Sequence, residues 1–364
     1  MRAIILAGGR GTRLDPLTRN DPKPLVPVFD RPLLFHQLDW LRDNGFTDIV
    51  VSVGYLGQRI LDVLNSPIPG LRLTVVREEE PLGTAGAVAL ALDQVPSREP
   101  VLVIPGDALS NVDLASFFLA FSRQPEPMAL LVHHVPDPRG FGVVWADDQG
   151  RVRQFVEKPA TLQWGSLVNT GIYALRPDLL RWPTKRPLDF AYDVFPELVA
   201  RRALVALRAE GYWSDLGTIG QYRQAHFDAM DGLIDLKALY RVPRHVKIAP
   251  TARLIPPVWL GDHVVIDAEA TVGPYAVIGA GSRLGPWVKV TQAIVGRGVV
   301  LGAETQLDGA VVADNVAAAG LCHIAHDAVV GTGAQLYWGS VVQAGQRVAP
   351  DSRILGERRP AQGA

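Results

Sequence analysis

The chain has 364 residues, of which 48% are hydrophobic and 20% charged, a composition that is typical of folded globular proteins and excludes a disordered chain. Its 36 basic and 37 acidic residues give a formal net charge of -1, so it lacks the basic excess of nucleic-acid-binding proteins. A single cysteine, Cys322, excludes an intrachain disulfide. At this length we expect two domains.

The first apolar run, Ala3–Ala7, is too short for a secretory signal and leads directly into a glycine-rich turn. No segment approaches the roughly 20 apolar residues that span a bilayer. We therefore expect a cytoplasmic protein whose partners include neither a membrane nor a nucleic acid.

Up to residue 230, short apolar runs alternate with amphipathic stretches. The predicted strands are Ala3–Ala7, Asp48–Val53, Leu71–Arg77, Val101–Ile104, Ala129–His133 and Gly142–Trp145. The predicted helices are Leu33–Asn44, Gln58–Leu64, Ala85–Leu92, Leu114–Arg123 and Ile219–Met230. This alternation predicts an α/β fold, with a Rossmann-like, mostly parallel sheet and helices on both faces. Ligands of such sheets bind beyond the carboxyl ends of the strands, where the glycine-rich turn lies.

The second half of the chain has a period of six residues. Apolar residues recur at Ile248, Leu254, Leu260, Ile266, Val272, Ile278, Leu284 and Val290. After a slip of one position the count resumes at Val295, Leu301 and Leu307, and is continued by Ala313, Ala319 and Ala325. A hexapeptide repeat sustained over about a hundred residues predicts a left-handed parallel β-helix built of triangular coils. The expected domains are 1–230 (α/β), 231–244 (linker), 245–350 (left-handed β-helix) and 351–364 (tail).

The turn after the first strand has the composition of a phosphate site. It reads Leu6-Ala7-Gly8-Gly9-Arg10-Gly11-Thr12-Arg13-Leu14 and is followed by Pro22-Lys23-Pro24. Glycines let backbone N–H groups converge on phosphate oxygens, while Arg13 and Lys23 neutralise their charge. The Gly-Lys-Ser/Thr ending of a Walker loop and the spacing of a dinucleotide fingerprint are both absent from this turn. The pattern predicts nucleotide phosphates at Leu6, Ala7, Gly8, Gly9, Gly11, Thr12, Arg13 and Lys23.

Together with six later motifs, this turn resembles the signature of sugar-1-phosphate nucleotidyltransferases. The later motifs are Glu78-Glu79-Glu80-Pro81-Leu82-Gly83-Thr84-Ala85-Gly86, Pro105-Gly106-Asp107, Phe141-Gly142-Val143-Val144, Phe155-Val156-Glu157-Lys158-Pro159, Asn169-Thr170-Gly171 and Gly211-Tyr212-Trp213-Ser214-Asp215-Leu216-Gly217. They follow the order and spacing of the family. The hexapeptide half is similar to members with a C-terminal left-handed β-helix, of the mannose-1-phosphate guanylyltransferase-like branch.

The resemblance implies that an oxygen of the sugar-1-phosphate attacks the α-phosphorus of a nucleoside triphosphate and releases pyrophosphate. Arg13 and Lys23 are the expected catalytic residues, because they would stabilise charge on the α-phosphate and on the leaving group. No general base is required, since the attacking phosphate is already ionised. His133 and His134 are accordingly expected to be structural.

The resemblance also implies the remaining ligands. Asp107 and Asp215 would hold Mg²⁺, which favours carboxylate and phosphate oxygens. Taken alone, Asp107 is typical of a turn and Asp215 of a helix N-cap. The expected sugar-phosphate ligands are Gly142, Glu157, Lys158, Asn169 and Gly171. Outside the family context, Glu157-Lys158 would be a solvated surface pair.

The resemblance further implies that Gly83, Thr84 and Asp107 bind the nucleotide. The choice of base depends on Glu78, which stands where the family reads the nucleobase. A carboxylate only accepts hydrogen bonds and so suits guanine, whose N1–H and N2–H₂ both donate; a Gln would suit uracil or thymine. We expect GTP with mannose-1-phosphate, and the alternative is dTTP or UTP with glucose-1-phosphate. Glu79 and Glu80 adjoin Glu78, so a shift of one residue would change the assignment.

Three further alternatives concern the protein as a whole. An acyltransferase activity of the β-helix would need a catalytic histidine, but the surroundings of His323 and His326 do not resemble that branch. A non-catalytic regulatory subunit would be expected to lack the glycine-rich phosphate turn or a metal-binding carboxylate. In this chain the residues Arg13, Lys23, Asp107, Lys158 and Asp215 are all present. Trp259, Trp287 and Trp338 either form a face for homo-oligomerisation, as a dimer or tetramer, or cover the corners of the coil.

Overall fold

The structure is a computed structural model that describes residues 1–161, 165–181 and 187–356. The chain forms two compact units that interleave in sequence. The first comprises Met1–Arg10, Pro22–Leu25 and Leu34–Asp215, and the second comprises Gly11–Asp21, Val26–Leu33 and Leu216–Ala364. The helix at Ile219–Met230, predicted to close the α/β domain, belongs to the second unit. The domain limits at residues 230 and 244 stay predictions.

Each strand and helix predicted up to residue 230 has a counterpart in the structure. The strands are β1 (Arg2–Ala7), β2 (Pro27–Val28), β3 (Arg31–Pro32), β4 (Asp48–Val53), β5 (Arg72–Arg77), β6 (Val101–Pro105), β7 (Ala108–Ser110), β8 (Met128–His134), β9 (Gly142–Ala146), β10 (Val152–Glu157), β11 (Leu167–Leu175), β12 (Leu204–Leu207) and β13 (Trp213–Asp215). The α-helices are α1 (Leu33–Asp43), α2 (Gly57–Val63), α3 (Thr84–Gln94), α4 (Leu114–Ser122), α5 (Phe195–Ala200) and α6 (Ile219–Met230). Strands β2, β3, β7 and β10 to β13 and helix α5 were not predicted. Single turns of 3₁₀-helix are Thr12–Leu14, Lys23–Leu25, Pro177–Arg181 and Lys237–Tyr240, and Phe190–Val194 is a π-helix.

The main sheet of the first unit contains both parallel and antiparallel ladders. Its strand order is β10-β9-β11-β6-β1-β4-β5, and β8 pairs with both β11 and β12. Strands β6, β1, β4 and β5 are parallel, as predicted. Strand β11 runs antiparallel to β6, β8 and β9, and β9 pairs with β10 across a turn in which Gly150 N–H donates to the Asp147 carbonyl. A tight hairpin of this kind joins antiparallel strands. The predicted Rossmann-like fold is confirmed, and its sheet is mixed.

Helices cover both faces of this sheet. Along β1, Ile5 packs with Leu38 of α1, whereas its neighbour Ile4 lies in a second apolar cluster with Val88 of α3 and Leu198 of α5. Alternate residues of one strand thus enter opposite cores, which explains why β1 is apolar at every position after Arg2. Each such side chain contributes about 1.5–3 kcal/mol when fully buried. The sheet therefore holds its strand ends, and the polar residues that follow them, at fixed positions.

The C-terminal half is a stack of short parallel strands in three sheets, the arrangement typical of a left-handed β-helix. The first sheet contains β14 (Lys247–Ile248), β17 (Val265–Ile266), β20 (Arg283–Leu284), β23 (Val300–Leu301), β26 (Ala317–Ala318), β29 (Gln335–Leu336) and β32 (Arg353–Ile354). The second contains β15 (Arg253–Leu254), β18 (Thr271–Val272), β21 (Lys289–Thr291), β24 (Gln306–Asp308), β27 (His323–Ile324) and β30 (Val341–Val342). The third contains β16 (Val258–Leu260), β19 (Ala276–Ile278), β22 (Ile294–Val295), β25 (Val311–Val312), β28 (Val329–Val330) and β31 (Arg347–Val348).

The predicted six-residue period is confirmed up to Leu307 and wrong beyond it. The inward residues there are Val312, Ala318 and Ile324, not Ala313, Ala319 and Ala325. The reason is a second shortened corner, between Leu307 and Val312, which repeats the slip between Val290 and Val295. Strand β32 continues the first sheet to Ile354, so the solenoid extends past the predicted limit at residue 350, and residues 357–364 lie outside the described residues.

Elements before the solenoid pack onto it within the second unit. The Asp30 carboxylate accepts a hydrogen bond from Ala280 N–H at 2.6 Å, and Phe29 lies edge-on to Trp259 at 5.5 Å. Burial raises the pKa of Asp30. Of the three tryptophans predicted for a shared face, Trp259 is therefore packed internally, while Trp287 and Trp338 are 57% and 60% exposed. Oligomerisation stays a prediction. Among the described helices, none is long and apolar enough to cross a membrane.

Candidate active site

The glycine-rich turn begins at the carboxyl end of β1, where the backbone of Gly8 is closely surrounded. A Cβ on Gly8 would lie 2.8 Å from Glu78 Oε1, so a larger residue would displace that carboxylate. The Gly8 carbonyl accepts a hydrogen bond from Tyr55 N–H at 3.3 Å. Gly9, in contrast, is exposed, and among the described residues no atom lies within 4 Å of its would-be Cβ. The turn is thus supported on one side and open to a ligand on the other.

The last residues of β1 form a hydrogen bond with the segment that follows the neighbouring strand, β6. The Leu6 carbonyl accepts a hydrogen bond from Gly106 N–H at 2.9 Å, and Ala7 is buried. Because Gly106 precedes Asp107, the first turn and the first predicted metal ligand lie side by side. This is the arrangement expected at the carboxyl ends of adjacent parallel strands.

Residues 11–14 of the predicted phosphate motif belong to the second unit and are supported within that unit. Gly11 has φ +62°, and its carbonyl accepts hydrogen bonds from Leu14 N–H at 3.0 Å and Thr18 Oγ1 at 2.8 Å. The Leu14 side chain is buried, whereas Thr12 and Arg13 are exposed. The buried Leu14 side chain therefore fixes this turn, and the polar side chains of the turn face solvent, as phosphate binding would require.

Glu78, the predicted base-reading residue, follows β5 and is held in place by two donors. Ser52 Oγ donates to Glu78 Oε1 at 3.0 Å, and Leu82 N–H donates to Oε2 at 3.4 Å. Its carboxylate lies beside Gly8, whereas Glu79 and Glu80 are exposed. Among the three consecutive acids, Glu78 is therefore the one whose carboxylate is oriented next to the turn.

Lys23 joins the two predicted metal ligands. Its side chain is buried, and its Nζ lies 2.6 Å from Asp107 Oδ2 and 3.5 Å from Asp215 Oδ1. The short antiparallel ladder of β7 and β13 places Asp215 opposite Ala108, the residue after Asp107. Residues that are far apart in sequence thus converge because of a ladder only three residues long.

This donor set fits Mg²⁺. The two carboxylates already share one cation, the Lys23 ammonium, so both can reach a common centre. Within the described ranges there is no group of three or more His, Cys, Asp or Glu side chains that could hold a metal. In phosphate-transferring sites Mg²⁺ is bound by one or two carboxylates together with phosphate oxygens and water, and Asp107 and Asp215 would supply the carboxylates.

The predicted sugar-phosphate residues lie at the hairpin of β9 and β10. Gly142 is paired with Glu157, and a Cβ on Gly142 would lie 2.8 Å from Glu157 Oε2 and collide with the Phe155 ring. Lys158 Nζ lies 3.1 Å from Glu157 Oε1, with 58% of the lysine side chain exposed. The hairpin therefore places a carboxylate and a mobile ammonium next to each other.

An irregularity in β11 shapes the other predicted sugar ligands. Between Asn169 and Tyr173 the pairing of β11 with β8 shifts register. Asn169 Nδ2 donates to the Tyr173 hydroxyl at 3.0 Å, and Asn169 Oδ1 accepts from Gly171 N–H at 3.0 Å. Burial raises the pKa of Tyr173, which keeps its hydroxyl protonated. The Asn169 amide is thus held in one orientation.

A family model described as nucleotidyl transferase matches residues 2–232. The chain belongs to the nucleotidyl transferase family. A probable mannose-1-phosphate guanylyltransferase 1 from Oryza sativa subsp. japonica is 32% identical to it over 303 residues, which are 82% of each chain. This confirms the predicted enzyme class, a sugar-1-phosphate nucleotidyltransferase.

Two solved structures share the fold of this transferase. HddC from Yersinia pseudotuberculosis complexed with GMP-PN has a TM-score of 0.55 and 27% identity, covering 63% of this chain and 99% of that one. A putative glucose-1-phosphate thymidylyltransferase from Bacillus anthracis has a TM-score of 0.58 and 28% identity, covering 65% of this chain and 97% of that one.

At the predicted nucleotide-binding residues Gly83 and Thr84, the transferase makes hydrogen bonds within the protein. Ala85 N–H and Gly86 N–H, at the start of α3, both donate to the Leu188 carbonyl at 3.0 Å. Gly83 has φ +77°, and a Cβ there would lie 2.5 Å from that same carbonyl oxygen, so only glycine fits. Their role in binding the nucleotide stays a prediction.

Asp189 is a residue of this site that the sequence did not reveal. Thr84 Oγ1 donates to Asp189 Oδ2 at 2.9 Å and accepts from Phe190 N–H at 3.0 Å. Asp189 Oδ1 accepts from Ala191 N–H at 2.8 Å and so caps the π-helix. The available signal was an Asp at the position of a cap, and nothing in the sequence linked it to Thr84.

The two histidines of β8 have structural surroundings. The His133 ring lies 6.0 Å from that of Trp213, and burial, together with the charge of His134, lowers the pKa of His133. His134 Nδ1 lies 3.0 Å from Ser166 Oγ. Both contacts agree with the expectation that neither histidine takes part in the chemistry.

Proposed function

We propose that this transferase joins GTP to mannose-1-phosphate and releases GDP-mannose and pyrophosphate. The observation that carries the choice of GTP is the Glu78 carboxylate beside Gly8, held by Ser52 and Leu82. The relative from Oryza sativa that is named a probable mannose-1-phosphate guanylyltransferase supports the choice of sugar. HddC from Yersinia pseudotuberculosis, which was solved in complex with GMP-PN, supports the choice of base.

The preference for guanine follows from hydrogen-bond chemistry. A carboxylate has no proton to donate, and the N1–H and N2–H₂ groups of guanine offer it two donors. Thymine and uracil would offer one N–H flanked by two carbonyl oxygens, whose lone pairs would face those of Glu78. A hydrogen bond to a charged group contributes about 1.5–3 kcal/mol, so the donors that guanine offers and the other bases lack would favour GTP by roughly tenfold or more.

In the proposed reaction an oxygen of the sugar phosphate forms a bond to the α-phosphorus of GTP, and the bond from the α-phosphorus to the bridging oxygen of the β-phosphate breaks. The electron pair of that bond leaves with pyrophosphate, and no protein group has to move a proton. The protein's work is therefore positioning and charge neutralisation. Arg13 and Lys23 would neutralise the triphosphate. Bound Mg²⁺, held by Asp107 and Asp215, would withdraw charge from the phosphate oxygens.

The second substrate would bind at the β9–β10 hairpin. Lys158 pairs with Glu157 and remains largely exposed, so its ammonium can turn to the phosphate of the sugar while Glu157 accepts from sugar hydroxyls. The Asn169 amide, oriented by Tyr173 and Gly171, still has one N–H and one lone pair to offer. These groups neutralise and orient a sugar phosphate. The choice of mannose among the sugar epimers is inferred from the names of the relatives.

The test is pyrophosphate release measured over a grid of GTP, UTP and dTTP with mannose-1-phosphate and glucose-1-phosphate. We expect GTP with mannose-1-phosphate to have the highest kcat/KM. Glu78→Gln should lower kcat/KM for GTP about tenfold and raise it for UTP or dTTP, whereas the exposed Glu79→Gln serves as the matched control and should change neither.

Two outcomes would contradict this proposal. A wild-type preference for dTTP or UTP with glucose-1-phosphate would favour the activity for which the Bacillus anthracis protein is named. GTP binding without turnover on any sugar phosphate would favour a non-catalytic subunit.

A further inference from the structure

We propose that Lys23 is an internal counter-ion that keeps divalent metal out of the Asp107–Asp215 site until the nucleotide arrives. In the nucleotide-free protein its ammonium would balance the two carboxylates, and on binding it would transfer to the triphosphate and release them to Mg²⁺. This inference rests on the proposed function, because it takes these two carboxylates as the metal ligands. It makes metal and nucleotide bind as a coupled pair.

The Lys23 ammonium contacts both carboxylates. Lys23 is only 7% exposed, and Nζ lies within 3.5 Å of an oxygen of each carboxylate. Buried lysines are rare unless they are paired, and here the partners are the two groups expected to bind metal. An ion placed between Asp107 and Asp215 would compete with this ammonium for the same oxygens, and any coexistence would be opposed by repulsion between cations.

At Lys23 the backbone is fixed, whereas the side chain can change its partner. The residue lies between Pro22 and Pro24 in a 3₁₀ turn in which Leu25 N–H donates to the Pro22 carbonyl at 2.8 Å. Proline fixes the backbone angle φ, so the backbone here is rigid. The four-carbon side chain is flexible and carries a compact charge, which can exchange one anionic partner for another. The polyphosphate of the nucleotide is the partner that the proposed site supplies.

The carboxylates, in contrast, stay where they are. Asp215 is held by the β13–β7 ladder, and Asp107 stands one residue before β7. Withdrawal of the Lys23 ammonium would leave two like charges close together, and their combined attraction would favour a cation between them. The lysine therefore suppresses metal binding in the free protein, and the nucleotide relieves that suppression.

Coupling of this kind is reciprocal, because the free energy by which nucleotide favours metal equals that by which metal favours nucleotide. Lys23→Met should therefore have two opposite effects. It should strengthen binding of metal alone, since the competitor is gone, and weaken binding of the nucleotide, since a phosphate partner is gone. A lysine that served only to bind phosphate would show the second effect without the first.

The experiment measures Mn²⁺ binding to the nucleotide-free, full-length protein by the electron paramagnetic resonance signal of free Mn²⁺. We expect Lys23→Met to lower the Kd for Mn²⁺ about tenfold relative to wild type, within the range typical of coupled sites. Lys158→Met, which removes an exposed lysine outside the carboxylate pair, is the matched control and should leave the Kd unchanged. Adding Asp107→Asn to Lys23→Met should abolish the gain.

A Kd that is equal or higher in Lys23→Met would overturn the proposal. Should that variant fail to fold, by near-ultraviolet circular dichroism, wild type and Asp107→Asn decide: we expect equally weak Mn²⁺ binding in both. A tight wild-type site that Asp107→Asn removes would overturn the inference and leave the proposed function standing. The proposed function fails separately, if the substrate grid shows no guanylyl transfer.

Discussion

The two units of this protein obtain their structure in different ways. In the solenoid each coil repeats the one before it, so that Leu284, Leu301 and Ala318 occupy one column and the core is a sum of similar contacts. In the sheet unit no position repeats, and the important contacts join distant residues, as Lys23 joins Asp107 and Asp215. Changes in the solenoid should therefore reduce stability, and changes at the sheet's strand ends should reduce chemistry.

The largest expected effect is on the stability of the solenoid. Leu301 is buried in the column of the first sheet, and Leu301→Ala should lower the free energy of unfolding by about 2–5 kcal/mol, because it leaves a cavity with few ways to collapse. Urea unfolding measures this, with Val300→Ala, at the 46% exposed neighbour, as control. We expect kcat per folded molecule to be unchanged. A fall in kcat without a loss of stability would break the contrast between the units.

The next effect is on chemistry in the sheet unit. Asp215→Asn should lower kcat by about 10²–10³, because it removes one of two charges proposed to hold Mg²⁺, while the free energy of unfolding changes little. Asp113→Asn is a matched control on the same unit, since Asp113 caps α4 by accepting from Ser116 N–H at 2.8 Å, and Asn caps equally well. Similar kcat values for the two variants would refute the assignment of Asp215.

The smallest effect should come from the contact between Thr84 and Asp189. Thr84→Val keeps the shape of the side chain but removes one hydrogen-bond donor and one acceptor, so we expect a loss of about 0.5–1.5 kcal/mol in nucleotide binding. This would appear as a KM for the nucleotide several-fold higher, with an unchanged KM for the sugar phosphate. Thr84→Ser retains the hydroxyl and should behave as wild type. A change confined to the sugar phosphate would show that α3 positions the other substrate.

The sequence predicted the repeating coils of the solenoid well, and it predicted contacts between residues that are distant in sequence poorly. A six-residue period is visible in one dimension, so the β-helix was predicted, but the corner at Gly309 is one residue shorter and displaced every later position by one. The first shortened corner was visible as the slip before Val295, but after Leu307 the small residues Ala313, Ala319 and Ala325 continue the old count, so the second slip was missed.

At the site, residue types were predictable and their contacts were not. The family motifs contain the glycines, Arg13, Lys23 and the acidic ligands, so the resemblance identified these residues as candidates for the site. The bridge from Lys23 to two carboxylates depends on β7 and β13, which are too short to have a pattern of their own. The link from Asp189 to Thr84 spans more than a hundred positions in sequence, and no local propensity reports such a contact.

The shortened corner between Leu307 and Val312 also limits how this solenoid can evolve. The carbonyl of Gly309 at that corner accepts a hydrogen bond from Arg223 of α6, and Arg223 also pairs with Asp327 one coil later at 2.8 Å. A chain in which an added residue restored the perfect period would move that carbonyl, and the guanidinium would lose one of its acceptors. The irregular corner thus provides a hydrogen-bond acceptor for the neighbouring helix α6, and a perfectly regular repeat would lose that contact.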